Sequence, residues 1–153
     1  MTKPSVYAAI DCCGQGYELT VMTGDGSDTV SIDVEAEIHP FEEFGISDVL
    51  SKVASFGEVR SVSVDRWQGG LSHRVQAHGF PVVEPSLGVK AHRSMIDRLA
   101  AASGAGVFKN GRIFMADMFI DGSGRREKNT TILWAFDEYQ QSQKQPSEFV
   151  GEL

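Results

Sequence analysis

Two aspartates stand where chemistry could be done. Asp11 closes the apolar run SVYAAID (5–11), and Asp65 closes EVRSVSVD (58–65). A carboxylate at the end of a buried strand either caps the turn that follows or lines the rim of a site. Turn-capping explains each one singly, because Asp11 precedes the turn CCGQG (12–16) and Asp65 precedes Gly69 and Gly70. Together they allow more. Two carboxylates a few ångströms apart repel, and each raises the other's proton affinity unless a cation intervenes. Oxygen donors on short, rigid strand ends suit Mg²⁺ or Mn²⁺, which take one or two protein carboxylates apiece. Two such ions about 4 Å apart activate water and stabilise the leaving oxygen in phosphodiester cleavage.

The neighbours of these aspartates are weighed in the same way. Arg66 and Trp67 follow Asp65 and could meet a phosphate and a base, although a tryptophan here also packs over a sheet edge. Glu84 ends PVVE before Pro85, where a turn-capping role suffices. His73, His78 and His92 have no zinc spacing and no cysteine partner, so they read as surface residues, with His92 a candidate because it opens a helix. Lys90, His92, Arg93 and Arg98, with Lys109 and Arg112, could line a duplex or simply solvate a helix face. Arg125 and Arg126 lie in the cationic loop GSGRREK (122–128), suited to a phosphate contact. The GQG turn is not a dinucleotide fingerprint, since strand rather than helix follows it.

Three strands lead: 5–11, 17–23 and 29–38, the last alternating Val30, Ile32, Val34, Ala36 and Ile38 against polar partners. GDGSD (24–28) turns between the second and third. A helix is expected over 40–57, carrying Phe44, Val49, Val53 and Phe56 and stopping at Gly57. Then follow a central strand (58–65), a helix (69–79), a strand (80–86) and a helix (91–104) with Met95, Ile96, Leu99 and Ala102 inside. Residues 107–121 are ambiguous, with a hairpin signal at Asn110-Gly111 beside an equally helical 112–119. A last helix over 130–143 carries Ile132, Leu133, Phe136 and Tyr139 inward, leaving Asp137 and Glu138 to solvent, with Asp137 as a fallback site residue. A meander followed by strands separated by helices implies an α/β fold, a mixed sheet with helices on both faces. Ligands of such sheets collect beyond the carboxyl ends of the strands, where both aspartates fall.

The chain of 153 residues and net charge −7 fits one domain over 1–143, followed by a polar tail over 144–153. The acidity argues against a general basic nucleic-acid surface, but not against an enzyme that gathers carboxylates around cations. Charge is uneven: residues 1–58 contain only Lys3 and Lys52 as bases, while most arginines and lysines fall in 60–128. No stretch approaches the ~20 apolar residues of a membrane span, and the start MTKPSVYAAID lacks the apolar core of an export signal. Adjacent Cys12 and Cys13 suggest reduced thiols and a cytoplasmic setting.

YAAID, VSVDRWQ, GFPVVEP and HRSMIDRL, in this order, resemble the nuclease domain of phage large terminase subunits, within the RNase H-like (retroviral-integrase-type) superfamily. The resemblance covers roughly residues 5–140. It implies an RNase H-like mixed sheet and a Mg²⁺- or Mn²⁺-dependent endonuclease acting on DNA, double-stranded DNA foremost, as in viral genome packaging in the host cytoplasm. It also implies that Asp11 and Asp65 hold the metals. The family's third acidic ligand, at the start of the last helix, aligns with Asn129, with Glu127 two residues earlier as its substitute. No G-x-x-x-x-G-K-[ST] loop occurs, so the packaging ATPase motor would be a separate partner. The alternative is a weak or inactive RNase H-like domain that binds nucleic acid or a partner protein.

Overall fold

The computed structural model describes residues 3–65, 70–109 and 130–151, with the side chains of the last helix described to Lys144. Strands β1 (Ser5–Cys13), β2 (Gly16–Gly24) and β3 (Val30–Pro40) lead, followed by helix α1 (Ile46–Ala54) and strand β4 (Glu58–Val64). Helix α2 (Leu71–Ala77), the short β5 (Val82–Val83), α3 (Val89–Gly104) and α4 (Thr130–Gly151) complete the order. The sheet order is β3-β2-β1-β4-β5. β1–β2 and β2–β3 pair antiparallel; β1–β4 and β4–β5 pair parallel. The fold is therefore α/β: a three-stranded meander extended by parallel strands and flanked by helices, compatible with an RNase H-like arrangement.

Alternation in β1 builds two cores at once, because successive side chains of a strand point to opposite faces. Val6, Ala8 and Ile10 join Ile46, Val49, Leu50 and Val53 of α1 and Leu71 and Val75 of α2. Tyr7 and Ala9 join Met95, Leu99 and Ala102 of α3 and the apolar residues of α4. β1 thus reads as a nearly continuous apolar run, as a central strand covered on both faces must. The β1–β4 alignment begins where Glu58 N–H donates to the Pro4 carbonyl at 2.8 Å. Gly57 makes that approach possible: its φ is +155° and a Cβ there would collide with the Pro4 carbonyl oxygen.

Four expectations are corrected. Helix α1 starts only at Ile46, because residues 41–45 are occupied by turns onto the Pro40 carbonyl and by the Asp48 carboxylate, which accepts the Gly45 N–H at 2.8 Å. β3 does not alternate evenly: its register on β2 shifts twice between Leu19 and Met22. Ile32 consequently packs toward α4 and Val34 toward α1, while Ile38 is 45% exposed. Ala36 at the irregularity has φ +43°, and its N–H donates to Thr20 Oγ1 at 3.0 Å. The last helix is no one-sided stripe. Every residue from Thr130 to Phe136 is buried, since α4 lies between the sheet and α3, and Asp137 and Glu138 are half-buried. Finally, α4 continues to Gly151, so the segment expected as a frayed tail from Lys144 extends the helix.

Of the ambiguous segment, Val107 and Lys109 bond to both backbone groups of Val30 at 2.9 Å, a parallel bridge beside the start of β3. Residues 110–121 lie outside the described residues.

Candidate functional site at the carboxyl edge of the sheet

The last partners of the parallel β1–β4 ladder are Ile10 and Val64. Asp11 and Asp65 are the next residue on each strand. Strands lie about 4.8 Å apart, and equal register in a parallel pair gives equal facing. Following the alternation, Tyr7, Ala9 and Asp11 share the α4 side of β1. Val62 and Val64 face α1 and α2, and the same alternation carried one residue past β4 would bring Asp65 to the α4 side as well. Asp65 is 4% exposed and Asp11 is half-buried. β1 outruns the expected strand: it pairs with β2 as far as Cys13, leaving Gly14 and Gln15 as the hairpin loop.

That short loop brings in a third carboxylate which the sequence reading passed over. Asp11 is the direct cross-strand partner of Glu18, so Glu18, Asp11 and Asp65 stand in one row across β2, β1 and β4. A signal was present, because a two-residue hairpin loop fixes the register of every pair behind it. Glu18 is already engaged. Thr131 at the start of α4 donates its hydroxyl to Glu18 Oε1 at 2.6 Å, and its N–H points to the same oxygen at 3.4 Å. Since Thr131 gives its proton to Glu18, the 2.9 Å contact between Thr20 and Thr131 has Thr20 as donor. The result is a directed chain from Ala36 N–H through Thr20 and Thr131 to a carboxylate at the N-terminal end of α4, where the helix dipole favours negative charge. Among the described residues no group of three or more His, Cys, Asp or Glu side chains could hold a metal ion.

On the other face of β1, Cys12 packs against the α1–α2 core. Burial pushes its thiol pKa up, the Asp11 charge pushes it further, and the Arg74 guanidinium pulls it down. Cys13 donates its S–H to the Gly16 carbonyl at 3.2 Å, and both cysteines are free thiols.

The expected basic face separates into parts. Lys90 and Arg93 are exposed in the first turns of α3. His92 is not a surface residue but 1% exposed, with Trp134 Nε1 donating to its Nε2 at 3.2 Å and its Nδ1 3.0 Å from the Gly88 carbonyl. The imidazole accepts on one side and donates on the other, a neutral ring serving the packing of α3 on α4. Arg98 bonds Asp137 at 2.6 Å and Gln140 at 3.0 Å, tying α3 to α4, and Lys109 pairs with Asp25 at 2.8 Å. Asp137 is thereby the ion-pair partner of Arg98. His73, His78 and Glu84 are exposed. Arg66, Trp67, Arg112, Arg125, Arg126, Glu127 and Asn129 lie outside the described residues. Among the described residues no helix is long and apolar enough to cross a membrane.

No protein-family model, curated protein or solved structure matches the chain.

Proposed function

We propose that this protein is a divalent-metal-dependent endonuclease cleaving DNA phosphodiester bonds, similar to the terminase nucleases of viral genome packaging. The supporting observation is the parallel register of β1 and β4, which sets Asp11 and Asp65 side by side, on one face, at the carboxyl edge of the sheet. The donor set fits Mg²⁺ or Mn²⁺, since such ions use one or two carboxylates and complete their shell with water and substrate phosphate. When bound, the cations supply charge neutralisation and activation of water for attack on phosphorus. The chain's own part is positional. Asp65, buried directly after β4, and Asp11, which pairs with Glu18 across the hairpin, would supply the carboxylate oxygens, and Glu18, fixed by Thr131, adds negative charge beside Asp11. Glu127 or Asn129 is proposed to complete the set. Double-stranded DNA is the proposed substrate, the cytoplasm of the host the proposed setting, and a separate ATPase motor the proposed partner.

One observation favours the alternative of a domain that binds without cutting: no third side chain joins Asp11 and Asp65 in a metal-sized group among the described residues. The deciding experiment incubates supercoiled plasmid with the chain and Mn²⁺, beside Asp65→Ala. Nicking and linearisation by the unmodified chain, at least 100-fold weaker in the variant, is the expected result, about the scale of losing one electrostatic catalytic group. Intact plasmid with the unmodified chain overturns the enzyme reading.

A further inference from the structure

We infer that Arg74 is a phosphate contact of the proposed site, and that with Lys90 and Arg93 it carries the nucleic-acid backbone over the carboxyl edge of the sheet from one face to the other. The inference rests on the nucleic-acid reading given above.

The starting point is how the cations are used. Lys52 pairs with Glu37, Arg60 with Glu58, Arg98 with Asp137 and Lys109 with Asp25. Arg74, Lys90 and Arg93 have no ion-pair or side-chain hydrogen-bond partner among the described residues, and all three are exposed. Their placement is not scattered. In a parallel βαβ unit the helix begins at the carboxyl end of the strand before it. Helix α2 follows β4 and is only seven residues long, so Arg74, one turn beyond the Gly70 cap, stays near the edge where Asp65 follows the strand. Helix α3 follows β5 and opens at that same edge with Lys90 and Arg93.

The two helices lie on opposite faces of the sheet. Leu71 and Val75 anchor α2 in the core beneath α1, while Met95 and Leu99 anchor α3 in the core with α4. The unpaired cations therefore flank the row of carboxylates on both sides. Cys12, the residue after Asp11, packs in the same core as Leu71 and Val75, which bracket Arg74 on α2. An anionic chain laid over carboxylates needs cations on either side of the cleavage point, and a guanidinium can hold two phosphate oxygens at once. Arg74 has a firm base for this, because the Arg74 carbonyl takes a 2.7 Å hydrogen bond from His78 Nδ1 and its own N–H reaches the Gly70 carbonyl at 3.1 Å. Lys3 and Lys144 serve as internal contrasts: Lys3 precedes β1 at the opposite edge, and Lys144 lines a cleft with Asp28 toward the far end of α4.

The test measures binding of a fluorescein-labelled duplex DNA to the full chain by anisotropy, over a salt series, with Ca²⁺ replacing Mn²⁺. Arg74→Ala, Arg74→Lys and the control Lys3→Ala are compared, with circular dichroism verifying that each is folded. The inference expects Arg74→Ala to bind roughly fivefold more weakly and to lower the slope of log affinity against log salt by about 1, since one phosphate contact is lost. Arg74→Lys is expected to keep the slope, and Lys3→Ala to match the unmodified chain. If Arg74→Ala matches the unmodified chain in affinity and slope, the role of Arg74 falls while the nuclease reading stands. Equal losses for Arg74→Ala and Lys3→Ala overturn it too, since bulk charge then explains both. If the unmodified chain binds no DNA even at low salt, the role of Arg74 and the nucleic-acid reading fall together.

Discussion

Thr131 is the residue on which the edge of the sheet depends most. Its hydroxyl accepts from Thr20 and donates to Glu18, so removing it strands the Thr20 hydroxyl proton in the interior and leaves half-buried Glu18 only the long Thr131 N–H contact. Thr131→Val keeps the shape and deletes the hydroxyl. It should destabilise the fold by about 1–3 kcal/mol, the cost of stranding buried polar groups, as read from urea unfolding with an unchanged m-value. Glu138 gives a prediction of opposite sign. Burial, and then the Asp137 charge beside it, raises its pKa above the usual carboxylate value. The folded state therefore holds this proton more tightly than the unfolded chain. Below the unfolded pKa both states are protonated and nothing is lost; as pH rises through the folded pKa, ionisation in a half-buried position destabilises the fold. Glu138→Gln should accordingly raise the thermal midpoint at pH 7 and leave it nearly unchanged at pH 4. An equal effect at both pH values would refute the electrostatic origin.

At the scale of elements, the candidate site is a consequence of the β1–β4 pairing, and that pairing begins at Gly57. Any side chain there would push against the Pro4 carbonyl that receives the Glu58 N–H. Gly57→Ala should cost about 2 kcal/mol or more, from a positive φ combined with the collision. Chemical denaturation measures it, and a change below about 0.5 kcal/mol would mean that the ladder can start elsewhere. Much of this level was legible in the sequence. β1 and β4 were visible as apolar runs, each stopping at an aspartate, and the meander was visible as alternation broken by glycine-rich turns. What could not be read were irregularities set by long-range fit. The shifts that turn Ile38 outward depend on how β3 meets β2. The burial of His92 depends on α4 supplying an indole N–H. Here a helical signal did exist, since His92, Met95, Leu99 and Ala102 recur at spacings of three and four on the buried side of α3.

Across the whole molecule, charge is sorted by place. The meander and α1 gather acids, several of them tied to the few cations within reach, as Glu37 is to Lys52 and Asp25 to Lys109. Each of those two ion pairs holds its carboxylate pKa below the usual value. Arg74, Lys90 and Arg93, without an ion-pair partner among the described residues, stand instead toward the end where the parallel strands stop. A net charge of −7 therefore coexists with a local cationic rim, a distinction that composition alone hides because it depends on which end of each helix meets the sheet. Glu18 escaped the sequence reading for a related reason: its place beside Asp11 is a property of the hairpin register and not of any local motif.

The strict alternation of β1 has one more consequence. Tyr7, Ala9 and Asp11 serve one face while Val6, Ala8 and Ile10 serve the other, so neither core can shift without the other. Deleting one residue between Ser5 and Ile10 would bring Cys12 to the place of Asp11, trading a hard oxygen donor for a soft sulfur one. An edge suited to magnesium or manganese would become one inclined toward zinc or copper(I). In β1 the identity of the donor is thus a matter of parity, and the two hydrophobic cores are what keep the count.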